Sequence, residues 1–184
     1  MPLSPAHGVA LALGIGACGL AVCTDLRSRR VPNTITLPLL AAAVVLALFD
    51  GRQAALVACA IVAAGLVAGT IVHAAGILGG GDVKLLTGVG ALAGYPVCIE
   101  VAIYCALCGG ILALAVSAVR GELPGVLSRV RCGVAGAIGS RSLSLGAASV
   151  AARGPRIPYA VAIASGFIIA LLGVAIFPAL RIVQ

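Results

Sequence analysis

Gly79-Gly80-Gly81-Asp82-Val83-Lys84-Leu85-Leu86 lies between two long apolar stretches, and its reading decides the fold. The 184-residue chain has only five carboxylates: Asp25, Asp50, Asp82, Glu100 and Glu122. Ionisable groups at membrane depth are costly to hold there and are usually functional. A second aspartate, Asp25, ends the first apolar stretch. Two aspartates at membrane boundaries, one of them on a glycine hinge, suggest a pair that shares a site.

Outward from this motif, the chain is 62% hydrophobic and only 9% charged. Soluble domains carry charges at roughly a quarter of their positions. A membrane span needs about 20 mostly apolar residues, and several runs approach that length. One integral membrane domain covering residues 1–184 is expected, all-α, with about six transmembrane helices. The runs are His7 to Thr24, Ile35 to Phe49, Ala54 to Leu78, Val83 to Gly94, Val97 to Val119 and Pro158 to Leu180. The second is short, and the fourth is shorter still and rich in glycine.

Charge placement orients these spans. Put Asp25–Asn33, Gly79–Lys84 and Arg120–Ile157 on one side of the membrane. That side collects ten of the 12 Lys+Arg, and the other holds only Arg52 and Arg181. The positive-inside rule then makes the first side cytoplasmic. Asp25 and Asp82 fall at the cytoplasmic face, and both termini fall outside. The segment 120–157 carries six arginines and is expected to be a basic cytoplasmic loop or an interfacial helix facing anionic lipid. The net charge of +7 thus reads as membrane topology. Without aromatic and basic residues interleaved, and with no Trp, nucleic acid is not an expected partner.

The N-terminus lacks the basic region of a signal peptide, since no Lys or Arg precedes Arg27. Most of the seven cysteines lie in apolar runs, where Cys acts as a small hydrophobe. Cys105 and Cys108 form a CxxC on an expected span, with no Cys or His partners that would argue for zinc. His7 and His73 are far apart in the chain. For His73, core packing or a helix hydrogen bond is the expected role. Ser140, Ser142 and Ser144 lie in the basic loop with no suitable base nearby.

The chemistry therefore centres on the two aspartates. Three glycines allow close backbone approach, which could admit an extended peptide beside Asp82. The plainer role for Asp82 is an N-cap for the fourth helix. Asn33 is positioned to cap the second. Lys84 follows Asp82 by two residues and either snorkels to the interface or biases the acid's charge. Two carboxyls a few ångströms apart do not both ionise easily, so one keeps a proton. The ionised partner can activate water while the protonated one polarises a scissile carbonyl. That mechanism needs neither metal nor cofactor, and no metal-ligand cluster is visible.

Three places in the chain resemble the type IV prepilin peptidases, the membrane aspartic proteases of the GxGD class. They are Asp25 with its basic run to Val31-Pro32-Asn33, the GGGDVKLL stretch from Gly79 to Leu86, and Ile157-Pro158-Tyr159-Ala160 at the last span. The resemblance implies Asp25 and Asp82 as the catalytic pair, with Gly79, Gly80, Gly81, Lys84 and Arg27 as substrate-side or supporting residues. It implies a bacterial inner-membrane endopeptidase that removes the short basic leader of a prepilin or pseudopilin at the cytoplasmic face. Larger family members carry an N-terminal insertion with paired CxxC motifs, linked to N-methylation. Here the first span leads directly to Asp25, which resembles the short peptidase-only type of tight-adherence (Flp) pilus systems. Two other readings compete. A small transporter or ion carrier also uses intramembrane acids and glycine-broken helices, and an assembly scaffold would use small-residue spans for packing.

Overall fold

The computed structural model describes residues 5–76, 78–122, 125, 128 and 158–176. Most of the arginine-rich 120–157 segment and both termini lie outside the described residues. The described residues form six helices and no strand: α1 (Pro5–Ser28), α2 (Asn33–Phe49), α3 (Arg52–Ala74), α4 (Gly80–Ala93), α5 (Val97–Val119) and α6 (Tyr159–Ile176). Three of them are long and apolar enough to cross a membrane, within Gly8–Ser28, Arg52–Ala74 and Val97–Val119. Helices α2 and α6 are shorter apolar helices. The all-α expectation thus holds among the described residues, and of their six helices three have full span length, against the six spans expected.

Large apolar side chains on these helices point outward. Leu20, Leu56, Val67, Ile71, Leu107 and Ile111 are all exposed. Such a surface would be costly in water, and it suits a helix bundle solvated by lipid tails.

Helix α4 departs most from the expected drawing. At 14 residues it rises about 21 Å, short of a hydrocarbon core of about 30 Å. It packs against all five other helices. Every residue from Thr87 to Ala93 is buried, together with Val83 and Leu85. A helix surrounded by other helices needs small residues more than hydropathy, because small side chains let backbones come close. A Cβ at Gly88 would stand 2.8 Å from Leu39 of α2, and one at Gly65 of α3 would stand 2.8 Å from Thr87. Gly69 of α3 is likewise filled by Val83. The helix ends at Gly94, whose φ of 73° an L side chain adopts with difficulty.

Helix α6 lies against α5 and α1. Phe167 is fully buried, and its ring fills the space beside Gly14 of α1. A Cβ at Gly166 would lie 2.5 Å from the backbone nitrogen of Cys105 and 2.6 Å from its Cα. Backbone atoms cannot rotate away. Gly166→Ala is therefore expected to destabilise the bundle by about 1–3 kcal/mol through overpacking. A Cβ at Gly173 meets nothing within 4 Å, so Gly173→Ala is the matched control. Unfolding midpoints of the two variants in mixed micelles check the difference.

Candidate active site

Asp25 stands in the last turn of α1, still helical, and only 6% of it is exposed. The helix thus runs past Thr24, where the apolar run stops, because α6 shelters the carboxylate. Asp25 Oδ2 accepts the N–H of Ala160 at 3.1 Å. Ala160 is the second residue of α6. The first amides of a helix have no partner within it, and the partial positive charge there favours a carboxylate. Pro158 precedes α6 and supplies the restricted backbone that commonly starts a helix. Four residues past Asp25, Arg29 takes a left-handed φ of 51° and its N–H bonds the Asp25 carbonyl, closing α1.

Asp82 is the third residue of α4, and Gly79, in extended backbone, is its N-cap. The expectation that Asp82 itself caps α4 is corrected by three positions. Its carboxylate reaches back and accepts the Gly79 N–H. This is the return half of a capping box, in which an acid at the third position satisfies the cap's own amide. Glycine leaves room for this approach, since a Cβ at Gly79 would lie 2.7 Å from Asp82 Oδ2 and would push the carboxylate aside. The other oxygen, Oδ1, is buried with no hydrogen-bond partner among the described residues. Asp82 lies outside the three span-length helices. Burial first, and then the Asp25 charge, push its carboxyl up to about 6, with the Gly79 hydrogen bond pulling the other way. The charge of Asp25, 57 positions earlier in the sequence, thus reaches Asp82.

The glycines have separate tasks. A Cβ at Gly81 would lie 2.5 Å from the Val31 carbonyl oxygen, so this position lets α4 meet the link between α1 and α2. Gly80 faces the His73 imidazole, 3.7 Å from where a Cβ would be. Lys84 Nζ donates to Asn33 Oδ1 at 2.9 Å. Asn33 is thereby occupied as a tie between α2 and α4. The N-cap of α2 is Pro32, with no side-chain cap bond, which corrects the capping role expected of Asn33. Arg27 is exposed in the last turn of α1.

Three features of the site were not anticipated from the sequence. The Ala160 amide is one; its signal was Pro158 at a helix start. His73 is the second. Instead of packing in a core, its ring is exposed, and Nδ1 lies 2.8 Å from the Leu78 carbonyl oxygen in the loop before Gly79. Tyr159 is the third. It is within electrostatic reach of Asp82, and its hydroxyl fills the space beside Gly109. An apolar groove of about 590 Å³ runs from Leu78, Val83 and Tyr159 at the acid end past Ala68, Gly90 and Ala102. Cys105 and Cys108 are both free thiols, the former buried. Among the described residues, no group of three His, Cys, Asp or Glu is placed to hold a metal ion.

Two sheltered carboxyls, one held by a helix N-terminus and the other raised with an unpartnered oxygen, are chemically suited to serve as base and acid. Residues 12–114 match the model of the type IV leader peptidase family, a span that contains both aspartates and the glycine loop. No curated protein and no solved structure shows significant similarity to the chain.

Proposed function

Since the chain belongs to the type IV leader peptidase family, we propose that it is a prepilin leader peptidase in which Asp25 and Asp82 form the catalytic pair. The observation that carries this reading is Asp82 Oδ1, buried and unpartnered among the described residues, in a carboxyl that the charge of Asp25 helps to raise. An oxygen in that state keeps an unused hydrogen bond, which a scissile carbonyl reaching the site would take up.

The raised Asp82 carboxyl keeps the proton of the pair, and Asp25 serves as base. Asp25 takes a proton from water as the water oxygen bonds to the carbonyl carbon. Asp82 gives its proton to the carbonyl oxygen. The tetrahedral gem-diol then breaks its C–N bond: the proton held by Asp25 passes to the leaving amine, and one hydroxyl of the gem-diol returns its proton to Asp82 as the new carboxyl C=O forms. The Ala160 N–H holds the Asp25 carboxylate in place as water is consumed.

The substrate in this reading is a Flp-type prepilin or pseudopilin with a short basic leader. It is cut at the cytoplasmic face of a bacterial inner membrane, and the new N-terminus is left unmethylated. The count of basic residues supports the cytoplasmic placement. Co-expression with a prepilin from the same genome, followed by mass measurement of the pilin, tests the reading. A leader-sized loss of mass and an unmodified terminal amine are expected. An unchanged mass with correctly inserted enzyme and several candidate prepilins would overturn it.

A pH dependence follows from the shared proton. A raised carboxyl pKa means that the protonated form persists to higher pH and is lost as pH rises through it. Cleavage in proteoliposomes is therefore expected to decline above about 6, approaching tenfold per pH unit well beyond it. The pair titrates as a unit, so the fall tracks its upper step. A rate still rising between pH 7 and pH 9 would contradict Asp82 as the proton holder.

A further inference from the structure

We propose that His73 is a positioning residue for the Asp82 carboxyl, acting through the single peptide group that joins Leu78 to Gly79. The carbonyl of that peptide faces the imidazole, with Nδ1 2.8 Å from the Leu78 oxygen. The amide of the same peptide is the Gly79 N–H that the Asp82 carboxylate accepts. A peptide group is planar and its C=O and N–H point in opposite directions when trans. Whatever fixes the carbonyl on one side therefore aims the N–H on the other. A carbonyl oxygen only accepts, so Nδ1 must carry the hydrogen in this bond. Donation to the carbonyl also polarises the amide and strengthens its own donation.

The sequence makes such a device useful at this place. Gly79, Gly80 and Gly81 follow directly, and glycine backbones are the least restricted of all. Helix α3 ends at Ala74, so His73 stands in its last turn, on a rigid element. Its ring also lies against Gly80, where a Cβ would be 3.7 Å away. A side chain rooted in α3 thus steadies a glycine loop that its own side chains cannot. The exposure of the ring fits a role in a loop rather than in a core.

Other charged and titratable groups around the acid are accounted for. Helix α1 presents Asp25 and α6 presents Tyr159. Lys84 of α4 is held by Asn33 of α2. Helix α5 contributes Cys105, beside Tyr159. His73 is the contribution of α3. The catalytic meaning of this arrangement rests on the leader-peptidase reading, but the positioning itself does not.

The test needs no substrate. The chain has three aspartates, Asp25, Asp50 and Asp82, so protein labelled with ¹³C at the Asp side-chain carboxyls and held in lipid nanodiscs gives few signals. Asp50→Asn assigns the one outside the pair. The upper titration step of the Asp25–Asp82 pair is read in wild type and in His73→Ala, His73→Asn and His73→Gln. Loss of the aimed Gly79 N–H removes a hydrogen bond to the charged form, so His73→Ala raises that step by roughly half a unit or more. Asparagine places an amide N–H near the position of Nδ1 and returns the step to the wild-type value. Glutamine, whose amide lies nearer the position of Nε2, does not. A merely structural role would lower the yield of folded protein without moving the titration.

An unshifted step in folded His73→Ala overturns the proposal. So does an Asn variant that titrates like the Ala variant. If the Ala variant does not fold, the Asn and Gln variants decide by the same criterion. Prepilin cleavage by the same four proteins separates the two inferences. A shifted titration without cleavage by wild type retires the peptidase reading and leaves the positioning intact. Cleavage by wild type with no titration shift does the reverse.

Discussion

Replacing Asp82 with asparagine is expected to reduce prepilin cleavage by about 10³-fold or more while the protein still inserts and folds. Asparagine matches aspartate in shape, and its amide oxygen can still accept the Gly79 N–H that holds the side chain at the start of α4. It cannot supply an acidic proton to a scissile carbonyl. Asp25→Asn is expected to be equally damaging for the complementary reason. Its amide oxygen can still accept the Ala160 N–H, but it cannot take a proton from water. Groups that act as one unit do not add, so the double variant should be no slower than either single one. The mass of a co-expressed pilin reads all three variants. Full-length prepilin in each, beside a processed pilin from wild type, is the expected result. Processing retained by either single variant would remove that residue from the proposed pair.

The second large effect comes from one methyl group. Gly81→Ala places a Cβ 2.5 Å from the Val31 carbonyl oxygen, a backbone atom in the link that follows Asp25. Neither side can yield by turning a rotamer, so the first turn of α4 must move off the α1–α2 link. Asp82 is the next residue and moves with it. Displacing a catalytic group by about 1 Å can cost 10²-fold in rate, and a loss of that order is expected. Stability should fall by no more than the ~1–3 kcal/mol of an overpacked site, since alanine in place of a helical glycine regains about 1 kcal/mol of helix propensity. A turnover that falls in protein still folded at the assay temperature is thus the signature. Gly110→Ala, which meets nothing within 4 Å, controls for propensity alone. Wild-type turnover in Gly81→Ala would show that the approach of Val31 to α4 does not set the position of Asp82.

The sequence made some of this legible for simple reasons. Carboxylates are so scarce in the chain that Asp25 and Asp82 stood out, and the charge of Asp25 helps to raise the Asp82 carboxyl. The Val97–Val119 helix matches its apolar run, because lipid-facing residues on a span-length helix leave a hydropathy signal. Helix α3 is offset from its apolar run, which extends from about Ala54 to Leu78. It begins at Arg52 and stops at Ala74, where Gly76 adopts a φ of 74° and turns the chain. The central place of α4 was not legible. A helix enclosed by five others has no lipid to match, so neither its length nor its hydropathy announces it. The Ala160 amide and the Leu78–Gly79 peptide were hidden for a different reason. Both are backbone groups, and side-chain identity says nothing direct about where a backbone N–H will point.

The notches that receive α4 have a consequence for how the site meets the bilayer. Val83 fills Gly69, Thr87 fills Gly65, and Leu39 of α2 fills Gly88. Like teeth on a key, these contacts index α4 along its axis against α2 and α3, so a slide of even a fraction of a turn would drive side chains into backbone. The height of Asp82 relative to α2 and α3 is therefore set by steric registry with these neighbours. A thicker or thinner membrane would tilt or sink the bundle as one body, and the spacing of the two acids would travel with it unchanged.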